Sequence, residues 1–112
     1  MDDLTLNRYQ EGALETVVYP RQGDNLVYPI LGLNGEAGEL AEKLKKIIRD
    51  QDGEATPGKK EELARELGDV LWYVAACAHE LGFELDDIAR HNLDKLADRD
   101  QRDQLQGSGD NR

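Results

Sequence analysis

The chain has 112 residues, with 14 Lys and Arg against 24 Asp and Glu, for a formal net charge of −10. That length fits one small domain, and that charge disfavours a duplex-DNA binder, which needs a basic face for phosphates. It suits a protein that binds cations, or that reaches phosphate groups through cations. The single Cys77 excludes an internal disulfide and reads as a core filler in an apolar helical run. The N-terminus is acidic and polar, with no signal-peptide pattern, and no apolar run reaches membrane-spanning length. A cytoplasmic protein with no nucleic-acid or membrane partner is the expectation.

Residues Leu4 to about Tyr19 predict a first helix, striped by Leu6, Tyr9, Ala13, Leu14 and Val17. Pro20 ends it, and residues 21–25 read as a loop. Tyr9, Tyr19 and Tyr28 are either packing residues or parts of a base-binding wall. A second helix starts near Leu26 or Pro29 and runs to about Arg49, its early part weakened by Gly32 and Gly35. Lys45, Lys46 and Arg49 suit its C-terminal dipole, and residues 50–54 make a polar exit. The third helix has Thr56 as N-cap, Pro57 at its first position and Gly82 as its stop after Leu81. From Leu67 to Leu81 it is apolar over more than one face, as in a bundle or at a subunit interface. The fourth helix opens near Asp86 and Asp87, with Leu85, Ile88, Ala89, Leu93 and Leu96 as its stripe.

Asn92 falls inside that last stripe, with Lys95 and Arg99 beside it. The strip reads either as a satisfied amide with two solvated cations, or as groups aimed at phosphates or a metal-bound water. Beyond about Arg99 the chain turns polar, so residues 1–103 are expected as the helical domain and 104–112 as a disordered tail. The whole predicts an all-α fold, a four-helix bundle-like protomer.

The chemistry concentrates in Glu36-Ala37-Gly38-Glu39 and its near-copy Glu66-Leu67-Gly68-Asp69. At i and i+3, each pair shares a helix face. On a wheel of about 100° per residue, the first acid of each pair lies roughly 80° from the apolar stripe and the second roughly 140°. Two helices packed through those stripes would bring both pairs to one edge of the core. Four carboxylates together need neutralising, by protons or more usually by a hard cation such as Mg²⁺. Gly38 and Gly68, each costing about 1 kcal/mol against alanine in a helix, suggest close approach of another helix, the metal site or a ligand. The bland alternative is a set of solvated acids, with Glu39–Lys43 and Glu42–Lys46 as ordinary helix-face pairs. Lys43 and Lys46 share the side of Glu36 and Glu39 and are candidate phosphate contacts. Tyr73, one turn beyond Glu66, is a candidate base or sugar contact.

Competing chemistries fail on residue type. A bundle di-iron site needs Glu-x-x-His, but Ala76 precedes His79 by three and Ile88 precedes His91 by three. There is no Cys/His zinc set, no phosphate-binding Gly-Lys signature and no dinucleotide fingerprint.

Gly32-Leu33-x-Gly35-Glu36-x-Gly38-Glu39-Leu40 and Glu66-Leu67-Gly68-Asp69-Val70-Leu71-Trp72-Tyr73 together resemble the MazG-like nucleoside triphosphate pyrophosphohydrolases. The wider superfamily includes the all-α dimeric dUTPases. The likeness spans about Tyr9 to Arg99. It implies hydrolysis of (deoxy)nucleoside triphosphates to the monophosphate and pyrophosphate with Mg²⁺ or Mn²⁺. It implies Glu36, Glu39, Glu66 and Asp69 as catalytic metal ligands, and Asn92 and Lys95 as contacts to substrate or its phosphates. It also implies a homodimer or homotetramer that completes the bundle across subunits. The family's Arg-Tyr-Pro-like ending is missing, since Arg99 is followed by Asp100-Gln101-Arg102. The rival reading is a non-catalytic acidic helical module that binds a protein partner. It leaves the matched acid–glycine pairs without a purpose.

Overall fold

A computed structural model describes residues 3–50 and 54–106 of the chain. They form four helices, α1 Leu6–Leu14, α2 Val27–Asp50, α3 Pro57–Leu81 and α4 Leu85–Gln106, with no strand among the described residues. Part of the expected polar exit, residues 51–53, and positions 107–112 of the expected tail lie outside the described residues.

Local chemistry sets most helix ends. The Thr56 hydroxyl accepts from the Lys59 amide at 3.2 Å, with Pro57 filling the first position where no amide is needed. Gly82 closes α3 in the left-handed region at φ 85°, its amide bonding back to Ala78 and His79 carbonyls. Thr5 caps α1 through the Arg8 amide at 3.1 Å. Asn25 caps α2, accepting from the Tyr28 amide at 3.1 Å.

Two boundaries differ from expectation. The first helix stops at Leu14, not near Tyr19. There the Thr16 hydroxyl donates to the Ala13 carbonyl at 2.7 Å and the Thr16 amide to the same carbonyl at 3.0 Å, closing a turn that begins a β-branched run. The fourth helix continues past Arg99 to Gln106, with Asp98 and Arg102 paired one turn apart at 3.2 Å.

The packing is open. Helix α2 lies along α3, α1 crosses α3, and α4 rests on α1 and α3 without packing on α2. The four helices therefore do not close a bundle within one protomer. The radius of gyration is 17.5 Å, against about 13 Å for a compact domain of this length. The core is small: Ala13, Ala75, Ala78 and Leu85, with Tyr9, Trp72, Val74 and Ile88 against it. Buried Gln10 staples this junction. Its amide donates to the Ala75 and Phe83 carbonyls, both at 3.2 Å, and its oxygen accepts from the Leu85 amide at 2.9 Å. Cys77 is buried beside it, as expected, and burial pushes its thiol above the ordinary range.

Much of the predicted stripe remains open to solvent. Leu67 is 55% exposed, Ile48 58% and Leu93 64%. Monomers rarely leave so many large apolar groups uncovered.

Candidate metal and nucleotide site

The packing of α2 on α3 brings the two acid motifs face to face. Glu36, Glu39 and Glu66 each offer an oxygen within 4.8 Å of the others'. Glu36 and Glu66 are half-buried and Glu39 is exposed. The wheel argument puts both acid pairs beside the stripes, of which Leu33, Leu40, Ile47, Leu63, Val70 and Val74 are the covered members. Asp69 is exposed and falls outside this tight set, yet its charge reaches Glu36 and it lines the same hollow.

The electrostatics are those of crowded carboxylates. Burial pushes the Glu36 carboxyl above its ordinary range, and the charges of Glu39, Asp69 and Glu66 push it further. Glu36 Oε2 and Glu66 Oε2 are buried with no hydrogen-bond donor. A proton on Glu36 shared with Glu66 would ease this, and that contact is among the causes raising Glu36. Lys43 supplies one cation, at a loose 3.7 Å from Glu66. Clustered carboxylates with orphaned buried oxygens are the donor set that a hard divalent cation takes.

Beside the carboxylates lies a cavity of about 370 Å³, lined by Thr16, Val18, Tyr19, Tyr28, Glu36, Asp69, Trp72 and Tyr73. Tyr73 lines this cavity with Glu36 and Asp69, and its neighbour Gly32 explains how it fits there. A Cβ on Gly32 would run into the Tyr73 ring, so the glycine lets the ring lie against α2. Trp72 meets Tyr73 edge-on at 4.8 Å and donates its indole N–H to Thr16 Oγ1 at 2.8 Å. Tyr19 and Tyr28 stack at 4.8 Å. Tyr19 is buried, while Tyr28 is exposed and open to a ligand. Burial pushes the Tyr73 phenol up, as do the Tyr28 phenol within hydrogen-bond reach and the Glu36 charge.

On the other side, Lys43 and Lys46 line a second hollow of about 270 Å³ with Lys59, Asp50 and Glu62. Lys59 was not singled out by the sequence, since it lies on α3 and only the α2–α3 pairing brings it near Lys46. It is paired to Glu62 at 3.1 Å.

Asn92 and Lys95 are exposed on α4, and nothing in the protomer brings them to the carboxylates. Arg99 is half-buried and lines a shallow apolar and charged hollow with Leu93, Leu96 and Asp103. Within the protomer no other helix closes on Gly38 or Gly68. A Cβ at either would meet no atom of the described chain within 4 Å. The sequence also missed Gln10 and Glu80, whose partners lie far along the chain, and the Asn25 cap, whose side-chain partners Pro20 and Tyr28 are local.

Comparison with known proteins agrees with this geometry. The Gene 37 protein of Mycobacterium phage L5 is 49% identical over 109 residues, covering 93% of this chain and 96% of that protein. The Uncharacterized protein YvdC of Bacillus subtilis is 36% identical over 69 residues, 57% of this chain and 65% of that one. No solved structure matches. The MazG nucleotide pyrophosphohydrolase domain matches residues 29–102, more than half of the chain, with both acid motifs, Trp72 and Tyr73 inside the matched stretch. On that match, the chain belongs to the MazG nucleotide pyrophosphohydrolase family.

Proposed function

We propose that this protein hydrolyses (deoxy)nucleoside triphosphates at the α–β anhydride, releasing the monophosphate and pyrophosphate in a Mg²⁺-dependent reaction. The observation that carries it is the trio Glu36, Glu39 and Glu66 within 4.8 Å, two of its oxygens buried and donorless, in a chain of this family. These three carboxylates, with Asp69 beside them, would hold Mg²⁺, or Mn²⁺ in its place. The bound ion supplies charge neutralisation at phosphoryl oxygens and a more acidic water.

The chain's own residues do the rest. Lys43 and Lys46 face the polyphosphate and offset its charge. Tyr73, held against α2, gives the base or sugar a ring to rest on. The Tyr28–Trp72–Tyr73 wall excludes water from the nucleoside end of the cleft. Hydrolysis adds water across the α–β bond, the bridging oxygen leaving with pyrophosphate. Little covalent work falls to the protein, so positioning and electrostatics carry the rate.

Asn92 and Lys95 reach substrate in this account only from the α4 of a second copy. The exposed Leu67, Leu71, Leu93 and Leu96 offer the apolar surface for such a homodimer or homotetramer. Glu39→Gln and Asp69→Asn test the reading: turnover should vanish while helical content and melting stay near wild type. Loss of fold with activity would make the acid pairs structural. Full activity in both would remove them from the site and favour an acidic module that binds a protein partner.

A further inference from the structure

The loop between α1 and α2 is tied at its start by Trp72 to Thr16, and its later part, Tyr19 to Asn25, is fastened by the Glu80 carboxylate near the end of α3. Glu80 Oε2 accepts from the Tyr19 hydroxyl at 2.7 Å and the Gly23 amide at 2.8 Å. Its Oε1 accepts from the Asn25 amide at 2.8 Å. Asn25 then donates to the Pro20 carbonyl at 2.8 Å and caps α2 through Tyr28. One side chain thus fixes the whole turn and the start of α2. Hydrogen bonds to an ionised acceptor are the stronger kind, and three converge here. Gly23 takes φ 94° to present its amide, a conformation that favours glycine.

The fastened turn is one wall of the cavity beside the carboxylates. Tyr19, held by Glu80, stacks on Tyr28, and both rings line that cavity together with Trp72 and Tyr73. Glu80 itself lies eleven residues beyond Asp69, about 16 Å along the helix, too far to serve the metal site directly. We propose that Glu80 is a positioning residue for the nucleoside: by latching the α1–α2 loop it sets the Tyr19–Tyr28 stack as the wall against which the base of the substrate is held. The inference rests on the nucleotide reading above. Base stacking on such rings is worth enough to show in KM when the wall moves.

The test uses the full-length protein as wild type, Glu80→Ala, Glu80→Gln and Tyr19→Phe. Tyr19→Phe keeps the ring and removes only its bond to Glu80, so it serves if Glu80→Ala fails to fold. Steady-state kinetics on a deoxynucleoside triphosphate with Mg²⁺ are paired with nucleotide titration of Trp72 fluorescence. The chain has a single Trp, and it lines the cavity, so the signal reads binding without turnover. Glu80→Ala should raise KM and the fluorescence midpoint about tenfold, with kcat within about threefold of wild type. Glu80→Gln, which keeps an acceptor oxygen, should fall between. The Mg²⁺-induced rise in Tm should be unchanged in all three, since the acid motifs are intact. A folded Glu80→Ala with wild-type KM and midpoint, or one that loses kcat alone, overturns the inference while leaving the nucleotide reading standing. A wild type that neither binds nor cleaves any nucleotide overturns both.

Discussion

Neutralising Glu36 should make the metal-free protein more stable and the metal-loaded protein less so. Like charges at 4.8 Å repel by about 0.9 kcal/mol even in water-like dielectric. Glu36 stands in two such pairs, with Glu39 and Glu66, so Glu36→Gln relieves roughly 1.7 kcal/mol before screening by salt. The new amide also places a donor beside Glu66 Oε2, which has none. A net gain of about 1 kcal/mol corresponds to a Tm rise of roughly 4–8 °C for a domain of this size. Mg²⁺ at a hundredfold its Kd adds about 2.7 kcal/mol to any fold that binds it, and the variant forfeits most of that. Differential scanning fluorimetry at pH 8, in EDTA and across a Mg²⁺ titration, should show the two curves crossing. Glu36→Gln melts higher in EDTA and wild type melts higher in saturating Mg²⁺. A variant that melts lower in EDTA, or that keeps the full Mg²⁺ shift, would refute the electrostatic account of the cluster.

The same group predicts a pH effect. Burial and neighbouring carboxylates raise the Glu36 pKa in the folded state above its ordinary 4.5. Its contribution to metal-free stability is therefore fully present below the unfolded value and lost as pH rises through the raised one. Metal competes with that proton, so the Mg²⁺-induced Tm rise should grow over the same range, and Glu36→Gln should flatten the slope. Gln10→Ala strands the Phe83 carbonyl and the Leu85 amide and removes a second bond from the Ala75 carbonyl, and should cost about 2–4 kcal/mol in a urea melt. Gly32→Ala should displace the Tyr73 ring and raise KM for nucleotide severalfold at constant helicity by circular dichroism. Light scattering should give a mass two or four times the 12.6 kDa protomer, and mixing inactive Glu39→Gln with inactive Lys95→Ala subunits should restore activity if each site borrows α4 from a neighbour.

The parts legible in the sequence are those governed by local rules. Thr56, Pro57 and Gly82 mark the ends of α3 through cap chemistry that needs no tertiary contact. The two acid motifs converge because period and stripe fix which faces meet. The α1–α2 loop was not legible. Glu80 reaches Tyr19, Gly23 and Asn25 from more than fifty residues away, and no periodicity encodes such a pairing. Asn92 and Lys95 show the limit of a helical wheel. It puts them on one strip of α4 but does not say what that strip faces, and within the protomer they face solvent. By propensity alone Gly32 is a weak point of α2, yet in the fold it is where the Tyr73 ring lies against the helix.

The most direct test of the central claim is product analysis by chromatography after incubation with a panel of nucleoside and deoxynucleoside triphosphates, with Mg²⁺, Mn²⁺ or EDTA. The account predicts monophosphate and pyrophosphate in equal amounts, with no turnover in EDTA. Orthophosphate with a diphosphate, or no product from any nucleotide, would contradict it.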